Sequence, residues 1–163
     1  DAGDAAAAWL ADQLGIDARL MAHRGRRDVD STYAPGHAVG FADGFPLLVA
    51  SAEAVETIAE RSGRVADARR FRPNLVVRGG GAFIEDTWRR IRIGEVEIEL
   101  VKPCGRCAVL DVDPDAGTRD IGLLGALRPD RLVDGELRFG VNAVVLQPGR
   151  VRVGDRIDVL ATR

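Results

Sequence analysis

Residues 96–107 read Val-Glu-Ile-Glu-Leu-Val-Lys-Pro-Cys-Gly-Arg-Cys, and no other stretch restricts fold and chemistry so tightly. Val96, Ile98 and Leu100 alternate with Glu97 and Glu99, the period of a strand with one buried and one wet face. Pro103 cannot donate to a ladder, and Gly105 tolerates a tight turn. The strand therefore ends in both cysteines of the chain, its only lysine (Lys102), and Arg106. Thiols and cations at the end of a rigid element are where a chemical site is built.

The rest of the composition narrows the classes of function. With 163 residues, 46% hydrophobic and 29% charged, the chain matches one ordinary globular domain able to bury a sizeable core. A formal net charge of -2 offers no basic excess for a phosphate backbone, so nucleic acid is not an expected partner. No apolar run approaches the roughly eighteen residues of a membrane span. The early alanine run is too short for a signal peptide and is interrupted by acids. Two cysteines separated by two residues fit a reducing, cytoplasmic compartment better than a disulfide scaffold. The only methionine is Met21, so the expectation is a piece of a longer protein.

Taken in order, residues 3–14 predict a helix with Asp4 as N-cap, an apolar face of Trp9, Leu10 and Leu14, and Gly15 at its left-handed end. A short strand is expected over 18–22. Residues 24–40 lack periodicity and read as a long loop, with Arg24, Arg26 and Arg27 either solvated or forming an anion patch. Asp43-Gly44 followed by Pro46 signals a turn. Residues 47–50 are a buried apolar run. Ser51 then caps a helix with Val55, Ile58 and Ala59 facing inward, which ends at Gly63.

Pro73 pushes Arg72 towards an extended conformation, so Arg72 and Asn74 are expected to point the same way before a strand over 75–77. Strands over 88–93 and from 96 onward form a hairpin across Gly94-Glu95. Residues 108–112 read as strand, 113–117 as a turn and 120–127 as a short helix. Three strands close the chain, over 136–139 or somewhat beyond, 143–146 and 156–160. Many short strands with glycine and aspartate turns, plus two or three helices, give a mainly β class: a β-barrel with helical insertions, in one domain over residues 1–163.

The Cys104-x-x-Cys107 pair has several chemical readings. Structural zinc needs two more ligands, and His23 and His37 lie outside the usual spacing. A thioredoxin-like dithiol needs a helix after the first cysteine in a βαβ setting, which the strand pattern over 108–112 does not provide. An iron–sulfur cluster needs more thiolates. What remains is one thiolate binding a soft or cofactor-held metal, with Lys102 and Arg106 favouring the thiolate or holding an anionic group. Two inert buried thiols are an equal alternative on spacing alone.

Several segments together resemble the MOSC domain family, the molybdenum-cofactor domain at the C-terminus of molybdenum cofactor sulfurases. The likeness is to the branch holding the mitochondrial amidoxime-reducing component and its bacterial relatives. It is carried by Phe-Ala-Asp-Gly-Phe-Pro at 41–46, Phe-Arg-Pro-Asn-Leu-Val-Val at 71–77, Glu-Asp-Thr-Trp at 85–88 and Ile-Gly-Glu-Val at 93–96. It continues in Val-Lys-Pro-Cys-Gly-Arg-Cys at 101–107, Val-Asp-Pro at 112–114, Phe-Gly-Val-Asn at 139–142 and Val-Gly-Asp at 153–155.

The resemblance implies a MOSC-like β-barrel binding a molybdenum–molybdopterin cofactor, with Cys107 as the metal ligand and Cys104 a non-ligating neighbour. It maps cofactor contacts to Arg72 and Asn74 and to Asp43, with Gly44 and Phe45 beside it; Lys102 and Asn142 join as supporting candidates. A strand-end cap at Arg72 and a turn-shaping role at Asp43 are the plainer alternatives. The resemblance also implies an N-terminal β-barrel subdomain, supplying further cofactor contacts, that this sequence does not contain. The activity it implies is oxygen-atom removal from small N-hydroxylated or N-oxygenated substrates, with electrons from a separate reductase or a ferredoxin or flavin protein. The other reading is a cofactor- or sulfur-carrying module of a sulfurase or delivery protein, whose sulfurase relatives bind pyridoxal phosphate in another domain.

Overall fold

The computed structural model describes residues 1–120 and 122–163. Two short strands, β1 (Arg27–Asp28) and β2 (Ala38–Val39), pair as an antiparallel ribbon in what sequence reads as a long loop. The main sheet contains β3 (Leu47–Ser51), β4 (Leu75–Val77), β5 (Trp88–Ile93), β6 (Val96–Gly105), β7 (Leu132–Val133), β8 (Glu136–Gln147) and β9 (Ile157–Thr162). Its order is β4-β3-β8-β6-β5-β9, with β7 paired to β8. Only β3 and β4 run parallel; the other pairs are antiparallel. Register shifts along β5/β9 and β6/β8 bend and twist the strands into a curled half-barrel. The mainly β, MOSC-like architecture with helical insertions is therefore as expected.

The alternation that opens the sequence argument is realised in β6. Val96, Ile98 and Leu100 are buried, while Glu97 and Glu99 stay half-exposed. Opposite them, Ile93 faces Val96 across a two-residue turn in which Gly94 takes φ 58°. A glycine at the first central position is what a type II′ hairpin needs. Val49, Ile91, Val141 and Ala143 complete this core. A second core lies under α2 (Ala52–Ser62), where Val55 and Ile58 meet Phe71, Leu127 and Phe139. Phe71 and Phe139 stack with centroids 3.9 Å apart, so the segment before Arg72 is anchored to β8. Gly63 ends α2 in the left-handed conformation.

Several expectations change. Residues 18–22 form no strand; Leu20 and Met21 are exposed, and an isolated extended segment has no ladder partner to stabilise it. The helix α1 (Asp4–Leu14) exists and ends at left-handed Gly15, but Gly3 is its N-cap, and it buries no residue. Of its predicted apolar face, Trp9 and Leu14 lie exposed and Leu10 is half-buried. Residues 108–112 are not strand: Ala108–Asp111 forms a 3-10 turn, because buried Asp111 accepts backbone N–H groups from Gly122 and Leu124. The expected helix over 120–127 becomes α3 (Leu123–Ala126), followed by α4 (Arg128–Arg131); residue 121 lies outside the described residues. The two strands expected over 136–139 and 143–146 are one: β8 runs on through Gly140 at φ 71°, where its pairing with β6 shifts register between Pro103 and Gly105.

Candidate functional site

The end of β6 delivers the two thiols to different surroundings. Cys107 is exposed and Cys104 half-buried, and both are free. Arg106 stands between them. Its backbone N–H donates to the Leu137 carbonyl at 2.7 Å. Its guanidinium donates to Cys104 Sγ at 3.2 Å and to the Phe71 carbonyl at 2.7 Å. The two cysteines are therefore inequivalent: Cys104 serves as an acceptor, and Cys107 keeps its sulfur towards solvent.

The second segment, 71–74, departs from expectation. A 3-10 turn over Ala68–Phe71 closes with the Arg72 N–H donating to the Arg69 carbonyl at 3.1 Å, and Arg72 takes φ 57°, ψ 42°. Pro73 excludes the right-handed helical region for Arg72, which suggested extended backbone, but the left-handed region also escapes that clash here. A non-glycine residue held there marks a place where the surroundings over-determine the backbone. Asn74 then clamps β3 from both sides: its N–H donates to the Leu48 carbonyl at 2.9 Å, and its Oδ1 accepts from the Leu48 N–H at 2.8 Å. One face of the Asn74 amide is thus structural, and its NH2 group is left for a ligand.

Sheet register aligns these groups. Leu48, which Asn74 holds, is the cross-strand partner of Asn142 in β8, and Asn142 is in turn the partner of Lys102 in β6. Asn74, Asn142 and Lys102 therefore lie along one row that runs from the residue before β4 across β3 and β8 to β6. The Lys102 ammonium sits 4.8 Å from the centroid of Tyr33, whose ring meets Phe45 edge-on at 6.3 Å. That chain draws the 41–46 turn to β6. Phe45 is thus brought to the row through Tyr33. Asp43 and Gly44 are exposed, and Asp43 lines a shallow hollow of about 290 Å³ with His23, Arg27 and Phe41. No hydrogen bond or ion pair joins Asp43 to Arg72 or Cys107 among the described residues. Another hollow, against α1, contains none of the predicted site residues.

Charge pairing around the site is dense. Arg70, on the turn before Arg72, donates to Asp113 at 2.7 Å, and Arg69 grips Asp67 and Asp115. Arg64 pairs with Asp120. Asp113 is held below the usual carboxylate range chiefly by the backbone N–H groups of Ala116 and Asp115. These contacts tie the 67–72 segment to the loop that follows Cys107. Asp43, Arg72, Lys102, Cys107 and Asn142 stand outside that pairing. None makes a side-chain hydrogen bond or ion pair to another described residue.

Comparison with known proteins identifies the setting of this row. The MOSC domain family matches residues 36–158. The chain belongs to the MOSC domain family. It is 34% identical over 98% of its length to mitochondrial amidoxime-reducing component 1 of Mus musculus. It is 35% identical over 96% of its length to mitochondrial amidoxime reducing component 2 of Homo sapiens, and 31% to that of Bos taurus. The MOSC chain spans about half the length, 52%, of each of these curated relatives.

The donor set suits a molybdenum–molybdopterin group. It offers one exposed thiol as a soft ligand and, in Arg72, a guanidinium that no described residue engages, available to anionic or carbonyl oxygens. Sequence reasoning missed two participants. Tyr33, the only tyrosine, sits in an aperiodic loop that gives no sign of its packing against Lys102. Arg106 was legible as a cation beside the thiols, yet its bond to Phe71, 35 positions away, has no signature in local spacing.

Proposed function

We propose that this chain is the molybdenum-cofactor-binding part of an oxidoreductase that reduces small N-hydroxylated or N-oxygenated compounds. The observation that carries the reading is the exposed, unpartnered Cys107 thiol at the end of β6 in a MOSC chain. The names of the similar proteins, amidoxime-reducing components, supply the substrate class. Residues 1–163 act as one domain in this reading, in a reducing, cytoplasmic compartment that suits two free thiols. No helix among the described residues is long and apolar enough to cross a membrane.

In this arrangement Cys107 is the protein ligand to molybdenum. Arg72 donates to anionic or carbonyl oxygens of the pterin group, and the Asn74 amide adds its free NH2 donors. Asn142 and Lys102 line the same row and orient the group from β8 and β6. Asp43 accepts pterin N–H groups, with Gly44 permitting close approach and Phe45 packing beside it. When bound, the cofactor supplies two-electron removal of oxygen from nitrogen, and the protein supplies position and electrostatics. Electrons come from a separate reductase, or a ferredoxin or flavin protein.

The test compares full-length wild-type protein, C107A and C104A produced in a host that makes molybdopterin. Elemental analysis reads molybdenum content, and a benzamidoxime-type substrate reads N-reduction. C107A is expected to lose ligand-dependent absorbance and activity by at least about a hundredfold, since losing even an outer partner of a metal ligand costs about 10–100-fold. C104A is expected to retain most of both. Equal loss in the two variants, or activity without molybdenum, refutes the assignment.

A further inference from the structure

We propose that Arg106 is a positioning residue: through the Phe71 carbonyl and the Cys104 thiol it fixes the left-handed turn at Arg72 relative to the end of β6. This deepens the cofactor reading above and rests on it only for what Arg72 binds.

The guanidinium of Arg106 is half-buried and reaches two acceptors, Phe71 O at 2.7 Å and Cys104 Sγ at 3.2 Å. Its own N–H is bonded to Leu137 O at 2.7 Å, so the residue is held at both ends. A planar fork with donors on fixed vectors can serve two acceptors at once, which the single ammonium of lysine on a flexible stem does poorly. The carbonyl it holds belongs to Phe71, already fixed by its stack on Phe139. The next residue is Arg72, in a backbone region that side-chain-bearing residues keep only when their surroundings enforce it. Arg72 has no partner for its own guanidinium among the described residues, so its side chain does not hold the turn. The restraint comes from the Arg69 carbonyl before it, from Asn74 after it, and from Arg106 across the site.

The same contact explains the two cysteines. Cys104 is the acceptor that completes the Arg106 fork, and Cys107, three residues on, is left exposed. Because a thiol is a weak acceptor, Phe71 is the stronger of the two anchors.

A capping role for Arg106 that serves stability alone would loosen the whole fold or nothing, whereas a positioning role acts locally and through Arg72. The experiment uses the full-length protein from a cofactor-competent host, as wild type, R106Q, R106K, R72Q and the R72Q/R106Q double variant. Amide hydrogen exchange in R106Q is expected to speed up at Arg72 by about tenfold, the scale of one lost charge-assisted hydrogen bond, with β3 and β8 unchanged. Molybdenum retention is expected to fall in R106Q. The double variant should lose no more than R72Q alone, because the two residues act in series. R106K, which keeps the charge and one donor at a time, should restore part of both readouts.

Unchanged exchange at Arg72 in R106Q, or losses that multiply in the double variant, overturn the proposal. If R106Q does not fold, R106K carries the test, and wild-type exchange at Arg72 in R106K overturns it. If R72Q retains full molybdenum, the cofactor reading of Arg72 fails, while the exchange data still decide the role of Arg106.

Discussion

Arg72 is the residue at which backbone and chemistry conflict most openly. Its φ of 57° is disfavoured for any side chain with a Cβ, by about 1 kcal/mol or more. Glycine relieves that strain and alanine does not, so R72G is expected to be about 1 kcal/mol more stable than R72A in urea denaturation. Both variants should lose cofactor retention alike, because neither carries the guanidinium; equal stability of the two would show the turn to be unstrained.

Glu85 poses a second residue-scale problem. It is fully buried, and neither carboxylate oxygen receives a hydrogen bond of normal geometry among the described residues, although Ser51 lies close to it. Burial pushes its carboxyl above the ordinary 4.5; the Ser51 hydroxyl and nearby backbone oppose that shift, and the Asp86 charge adds to it. A raised folded-state value means that its contribution to stability is fully present below 4.5 and is lost as pH rises through that value. Wild-type stability relative to E85Q should therefore fall from acidic pH towards neutrality, with E85Q the more stable at pH 7. Subtracting the two pH profiles removes the opposite slope of carboxylates such as Asp113 and Asp67, which are held low. A flat difference would mean that Glu85 stays ionised.

Elements with a strong local period were legible from sequence, and those set by distant contacts were not. The β5–β6 hairpin follows from alternating residues around Gly94, and α2 from its apolar face and Gly63. The 3-10 turn after Cys107 has a strand-like composition, but it is decided by Asp111 reaching Gly122 and Leu124. The sequence of β8 reads as two strands because Gly140 and Asn142 interrupt its apolar run. The interruption is a bend, not a break, and it lets β8 pair with both β3 and β6. At the site, the thiols, Arg72 and Asn74 are visible as residue types, whereas the row of Asn74, Asn142 and Lys102 exists only through sheet register. The bend yields its own prediction. A Cβ at Gly140 lies 2.8 Å from the Val49 carbonyl, in a left-handed conformation as well. G140A should destabilise the protein by about 2–3 kcal/mol, from strain plus overpacking, and melting temperature with near-UV circular dichroism will show it. A loss below about 0.5 kcal/mol would mean that β3 and β8 can separate at this point without penalty.

Across the whole molecule, cohesion is graded from the sheet to α1. β3, β6 and β8 bury Val49, Ile98, Leu100, Phe139, Val141 and Ala143 almost completely. α1 buries nothing, and its ties to the segment after it are one backbone bond, Ala2 N–H to Leu20 O, and the ion pairs of Arg19 with Asp1 and Asp4. Those pairs are surface-exposed, and exposed ion pairs hold little. Native-state hydrogen exchange on the 163-residue chain should therefore open α1 first and the β6–β8 pairing last, near the global unfolding limit. Two tryptophans give the same gradient a chemical test. Trp9 is 63% exposed on α1 and Trp88 is 8% exposed at the start of β5. W9A should change unfolding free energy by less than about 0.5 kcal/mol, and W88A should lower it by about 3–5 kcal/mol. A large effect of W9A in this chain would place a packing surface on α1 that its exposure denies. A small effect of W88A would mean that the open end of the β5–β6 hairpin is held by Arg163, which bonds both Trp88 O and Leu100 O, and not by its core.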